Sequence, residues 1–238
     1  MQKAAKRTAR KTTKKALGVP QDVALIRGQI KSFLDAKTLD ETKIGNAIWG
    51  IYAFYDFDGE PIYVGQTNEK LRVRIGRHLT NQRTDAVAMN VLDPFEVAEI
   101  EVWPLWELQD KPRNDKDSKK LLNAAEYTVF QDVLKKSTFE AVLNEGNVLP
   151  AKRIVLPASQ RGSIIPEELH EQRRHPDVRI ARRATTIAAL ARVISERDVS
   201  KGLRRTLLTQ ARRLEKLASQ RYNEVAGAVP TLKPGEEV

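Results

Sequence analysis

Apolar residues at Val23, Ile26, Ile30, Phe33 and Leu34 recur at spacings of three and four, which predicts an amphipathic helix over residues 21–38. Residues 42–46 read as a short turn or linker. The texture then switches to a run of aromatic and β-branched residues from Ile48 to Phe57, a strand signal. Asp58-Gly59 separates it from Ile62-Tyr63-Val64, which predicts an antiparallel hairpin. Leu71, Ile75 and Leu79 fall four apart and predict a helix. From Val97 to Trp106, Ala98, Ile100 and Val102 alternate with Glu99, Glu101 and Trp103, the pattern of a third strand with one wet face. Pro104 places the end of that strand at an edge or bulge. Residues 111–120 read as a charged loop, and 118–136 as a helix with Ser118 at its cap. Residues 151–176 mix Pro, Ser, Gly and charges. From Asp177 two Arg-rich helices follow, to about Arg197 and from Ser200 to Glu224, the second with Leu203, Leu207, Leu214 and Leu217 along one stripe. Two helices joined at 198–200 predict a helical hairpin.

The predicted fold class is therefore α/β, more closely α+β: a small three-stranded antiparallel sheet flanked by helices. The predicted organisation is a basic disordered arm at 1–20, a helix and linker at 21–47, a sheet-containing domain at 48–150, an irregular linker at 151–176, a basic helical hairpin at 177–226 and a loose tail at 227–238. No internal repeat is evident.

Charge sharpens this division. The net charge is +10 with pI near 9.8, a balance that points to a polyanionic partner, most often nucleic acid. Residues 1–20 hold seven Lys or Arg and no acid, 21–150 hold 16 basic and 21 acidic side chains, and 151–224 hold 17 basic and 8 acidic. The sheet domain is acidic and its flanks are basic, so the flanks are expected to supply much of the phosphate attraction. The chain has no cysteine, which excludes disulfides and thiolate metal sites. No apolar run approaches a membrane span and no N-terminal apolar stretch resembles a secretory leader, so a cytoplasmic protein without membrane partners is expected.

Candidate chemistry begins on the hairpin. Tyr52 and Tyr63 lie on strands that pair, where two phenols converge; tyrosine is also an ordinary strand residue. Arg74 and His78 are four apart on one helix face. A guanidinium fork suits an anionic phosphorane and an imidazole passes protons near neutral pH, while a solvated basic face is the plain alternative. Glu126 interrupts the apolar stripe formed by Leu122, Val129, Phe130 and Val133. A carboxylate placed there loses hydration and needs a cation or hydrogen bonds; Mg²⁺ suits its oxygen, and a boundary ion pair is the alternative. Asn144 follows a short apolar run and either holds a phosphate or a water or turns the chain, with Asn147 as its near rival.

Taken together, Gly50-Ile51-Tyr52, Tyr63-Val64-Gly65, Arg74, His78, Glu126 and Asn144 resemble, in order and spacing, the GIY-YIG endonuclease superfamily over roughly residues 48–147. Valine stands at Val64 for the usual isoleucine, and the long stretch from His78 to Glu126 suggests an insertion at 81–95 or 108–118. The resemblance implies hydrolysis of a phosphodiester to 5′-phosphate and 3′-hydroxyl ends with one Mg²⁺ or Mn²⁺ per site. It implies Tyr52, Tyr63, Arg74, His78, Glu126 and Asn144 as the catalytic set and Glu126 as the metal ligand. Tyr52 is expected to orient or deprotonate the attacking water with help from His78. Lys70, Arg72, Arg77, Arg182, Arg183, Arg204 and Arg205 are expected to bind double-stranded DNA.

The leading expectation is a restriction or phage-defence enzyme. Repair or recombination nucleases, a homing enzyme and a non-catalytic nucleic-acid-binding protein are the alternatives. The C-terminal helices form either a helix-turn-helix reader or, on the strength of their leucine stripe, a homodimer seam.

Overall fold

The computed structural model describes residues 21–38, 41–80, 92–144, 148–196, 198–199 and 201–227. The basic arm at 1–20, most of the 81–95 insertion, Asn147 and the tail beyond 227 lie outside the described residues.

The first helix, α1 (Gln21–Asp35), buries Ile30 and Leu34, two of the five positions its period marks. The hairpin follows as β1 (Gly50–Tyr55) and β2 (Pro61–Thr67), antiparallel, with Tyr52 opposite Gly65 and Phe54 opposite Tyr63. Its turn is closed by Asp56, whose carboxylate accepts from the amides of Asp58 and Glu60, while Gly59 takes a φ of 71°, a left-handed conformation that suits glycine. Helix α2 (Leu71–Thr80) seats Leu71 and Ile75 in the core. Strand β3 (Glu99–Pro104) lies on the other side of β1, and helix α3 (Lys116–Lys136) crosses the sheet.

Four strands form the sheet, in the order β2–β1–β3–β4, rather than three. The added strand, β4 (Gln160–Ser163), falls in the segment that composition reads as irregular linker. Its sequence, Gln-Arg-Gly-Ser, has no apolar alternation, because pairing with β3 rather than its own side chains holds it in place. The face of β3 expected to be wet is largely covered: Trp103 joins the core under α3, and of this face Glu99 alone stays half-exposed. Glu101 is buried, where it accepts hydrogen bonds from Tyr55 Oη at 2.5 Å and Ser159 Oγ at 2.7 Å. At the opposite edge, Leu143 runs parallel to β2 and exchanges backbone hydrogen bonds with Ile62 and Val64.

The two faces of the sheet have separate cores. Ile51, Ala53, Tyr55 and Val64 pack under α3 through Leu122, Ala125, Val129 and Val133. Tyr52, Phe54, Tyr63, Ile100 and Val102 pack with α1 and α2 through Leu34, Leu71 and Ile75. Helix α3 begins two residues before Ser118: Asp115 is the cap, its carboxylate accepting from the Ser118 amide at 2.8 Å, and Ser118 itself is buried.

Beyond β4, a short helix α4 (Glu167–Arg174) leads into the hairpin of α5 (Pro176–Glu196) and α6 (Lys201–Ala226). That hairpin docks on the sheet domain through buried arginines. Arg183 reaches Asp56 at 2.8 Å and Glu96 at 3.0 Å, and Arg179 reaches Asp58 at 2.7 Å. Arg213 donates to the carbonyls of Pro61 at 2.8 Å and Ala141 at 3.1 Å. The leucine stripe that predicts a homodimer seam is partly occupied within the chain: Leu217 is buried and Leu203 packs against the core, so the stripe does not by itself call for a second copy. Among the described residues, no helix is long and apolar enough to cross a membrane.

Candidate active site

Gly65 shows why the second motif ends as it does. A Cβ built there would lie 2.6 Å from Tyr52 Oη and 2.9 Å from a Tyr63 ring carbon. The Tyr52 phenol therefore occupies the space a side chain would take on the facing strand. Tyr52 and Tyr63 stack with ring centroids 6.1 Å apart, and both rings lie against His78, at 5.7 and 5.3 Å. Gly65→Ala is expected to push the Tyr52 ring aside, costing about 1–3 kcal/mol of stability and, through misplacement of the phenol, about a hundredfold in catalysis. Thermal melting and a nuclease assay on the same preparation check both.

The Tyr52 hydroxyl joins two side chains from one face of α2. Arg74 Nε donates to it at 3.2 Å, and His78 Nε2 lies 2.9 Å away. His78 is fully buried. Burial first, and the positive charges of Arg74 and Arg77 second, pull its pKa down to about 3, so the imidazole is neutral at physiological pH. This alters the role that spacing alone gives it. It is no solvated proton shuttle with an ordinary pKa; it is a neutral group that holds the phenol. Arg74 can only donate, so the phenol oxygen accepts from it, while the direction of the Tyr52–His78 bond is set by the imidazole tautomer. Among the described residues, Nδ1 has no hydrogen-bond partner.

Glu126 arrives from the other face of the sheet, on α3. Leu122, Ala125 and Val129 anchor that helix in the core and carry Glu126 into a buried position at the β2 edge. Asn144, next to the Leu143 bridge, donates from Nδ2 to Glu126 Oε1 at 3.1 Å and to the Val64 carbonyl at 2.8 Å. Burial pushes the Glu126 carboxyl above the usual carboxylate range, against the opposing pull of Asn144 and of the Arg74 charge. That pull places Arg74 electrostatically between the phenol and the carboxylate. The chain thus gathers Tyr52, Tyr63, Arg74, His78, Glu126 and Asn144 around one sheet edge.

A hard divalent cation fits this donor set. Glu126 is a desolvated carboxylate held by the Asn144 amide, and among the described residues Arg74 is the cation whose charge bears on it. Among the described residues no three His, Asp or Glu side chains converge. An ion here would take Glu126 from the protein and its other ligands from water and substrate oxygens, the habit of Mg²⁺.

The expected DNA contacts divide. Lys70, Arg204 and Arg205 are exposed, as is Arg77, which pairs with Glu69. Arg72 instead ties α1 to α2, donating to Asp35 at 2.9 Å and to Asn46 at 3.0 Å. Arg182 donates to the Phe95 carbonyl, and Arg183 is buried among Asp56 and Glu96. Arg183 is thus taken up by the fold, and Arg72 and Arg182, half-buried, each make contacts that support it. What the sequence reading passes over is a polar groove of about 330 Å³ beside Arg74, lined by Gln66, Asn68, Lys119 and Asn123 among others. A signal for it exists: Lys119 and Asn123 lie seven and three residues before Glu126, on the same helix face.

A phenol, a guanidinium, a neutral imidazole and a buried carboxylate beside a polar groove make a nuclease-type site. Residues 48–131 match the family model of the GIY-YIG catalytic domain, so this part of the chain is similar to a GIY-YIG nuclease domain. The match spans Tyr52 to Glu126 and ends before Asn144. Comparisons with curated proteins and with solved structures returned no match.

Proposed function

We propose that this protein is a divalent-metal-dependent DNA endonuclease that hydrolyses phosphodiesters to 5′-phosphate and 3′-hydroxyl ends. The observation that carries the reading is that Arg74, bonded to the Tyr52 phenol that His78 also holds, bears by its charge on Glu126, which Asn144 holds from the other face of the sheet. Arg74 stabilises negative charge on the scissile phosphate and on the Tyr52 oxygen. Tyr52 orients the attacking water, and neutral His78 holds the phenol in place through Nε2. Tyr63 walls the pocket, and Asn144 fixes the Glu126 carboxylate. Glu126 would hold the ion, which supplies Lewis-acid polarisation of the phosphate and stabilises the leaving oxygen.

A restriction or phage-defence role is the reading we favour, since the catalytic domain carries its own basic helices. Supercoiled plasmid and phage DNA incubated with wild type and with Tyr52→Phe, with Mg²⁺ or with EDTA, test the proposal. Wild type should give discrete fragments only with Mg²⁺, and Tyr52→Phe should be slower by about 10²–10⁴-fold. Metal-dependent nicks or a smear would overturn the restriction role and keep the chemistry. Equal rates for both proteins would remove Tyr52 from the mechanism.

A further inference from the structure

The groove beside Arg74 is not used by any step above. It runs between the loop joining β2 to α2 and the first turns of α3, so one wall adjoins Arg74 and the other lies one turn before Glu126. Its volume of about 330 Å³ is in the range of small-ligand sites. Its lining is polar. Gln66 Nε2 donates to Asn123 Oδ1 at 3.0 Å, an amide pair spanning the two walls. Asn68 is held by the Arg113 carbonyl at 3.2 Å, and Lys119 is exposed on the α3 wall.

A second observation sets this pair apart from ordinary surface amides. Among the described residues, Gln66 Oε1 is buried and has no hydrogen-bond partner. Buried acceptors are rarely left that way without a reason. Bridging amides, one unmet acceptor and a lysine, in a groove that opens on a phosphate-handling arginine, are the chemistry that recognises a nucleotide.

Resting on the nuclease reading above, we propose that this groove holds the nucleotide next to the scissile phosphate. Lys119 lies on its flanking phosphate, and the Gln66–Asn123 pair faces its base edge and sets base preference at that one position. The unmet acceptor favours a base edge offering an amino group, as adenine and cytosine do.

The test uses the full chain with Mg²⁺ on a random-sequence duplex library, with sequencing of the cut ends, together with steady-state kinetics on one preferred site. Wild type, Lys119→Ala, Asn123→Ala and Gln66→Leu are compared, each with a melting curve; Lys119 and Asn123 are exposed, so their variants keep the fold even where Gln66→Leu does not. Wild type should prefer adenine or cytosine at one position beside the cut. Asn123→Ala should relax that preference by roughly 5- to 10-fold. Lys119→Ala should raise KM several-fold at unchanged kcat, leave base preference alone, and lower the salt slope of binding by about one. If wild type cleaves but KM, salt slope and preference are the same in the Lys119 and Asn123 variants, the groove is not a subsite while the nuclease reading stands. If wild type cleaves no nucleic acid, both fall.

Discussion

Glu126→Gln will lower the rate of phosphodiester cleavage by at least about a thousandfold, because the contribution of a coordinated cation to such a reaction is several kcal/mol. The same substitution will stabilise the metal-free protein. Burial places the Glu126 carboxyl above its ordinary range in the folded state. The sign follows from that direction: a raised folded pKa contributes stability that is fully present below the unfolded pKa and is lost as pH rises through the folded value. At neutral pH the ionised carboxylate therefore opposes folding. Glutamine keeps an acceptor for Asn144 without the charge, and a gain on the order of 1 kcal/mol is expected. The gain should be seen at pH 7 to 8 and shrink as the pH falls into the carboxylate range. Denaturant melts at several pH values, run beside the cleavage assay, separate this from mere misfolding. A variant that is both inactive and less stable at pH 7 would argue that Glu126 is a structural ion-pair partner.

Arg183→Ala will destabilise the protein by about 3–5 kcal/mol, whereas Arg204→Ala or Arg205→Ala will change stability by less than about 0.5 kcal/mol and weaken DNA binding instead. Arg183 is buried, with Asp56 and Glu96 both within 3.0 Å. Burial pushes the Glu96 carboxyl up, and Arg183 first and Arg179 second pull it back. Removing Arg183 leaves Asp56 with Arg179 at 3.5 Å, and Glu96 with Arg179 at 3.5 Å and Arg182 at 3.7 Å. Arg204 and Arg205 are exposed on α6. Chemical denaturation and fluorescence anisotropy on a labelled duplex check the contrast. Equal, small stability losses for all three would mean that the hairpin is not locked to the sheet domain by this network.

How legible the molecule is in its sequence depends on whether local pattern or distant pairing fixes each part. The hairpin and α2 are legible because Asp58-Gly59 and the Leu71–Ile75 spacing are local signals, and their structure agrees. Glu126 is legible because a charge inside an apolar stripe is anomalous on any helix. Strand β4 is not: a polar tetrapeptide is held only by its partner, and nothing local announces that. Glu101 reads as wet for the same reason, since what covers it comes from Ser159, far along the chain. The arginines of α5 read as a DNA surface because their acidic partners at Asp56, Asp58 and Glu96 lie about a hundred residues away. His78 is visible by type and spacing, but its neutrality follows from complete burial, which one sequence does not display.

The central claim is that the cluster of Tyr52, Arg74, His78 and Glu126 cuts phosphodiesters with a bound divalent ion. The most direct test is single-turnover cleavage of an end-labelled DNA duplex by the full chain, with Mg²⁺ or EDTA, followed by assignment of the product ends. Cleavage that requires Mg²⁺, leaves 5′-phosphate and 3′-hydroxyl ends and is absent in Glu126→Gln is the predicted result. Cleavage that persists in EDTA, survives in Glu126→Gln or leaves 3′-phosphate ends would contradict it.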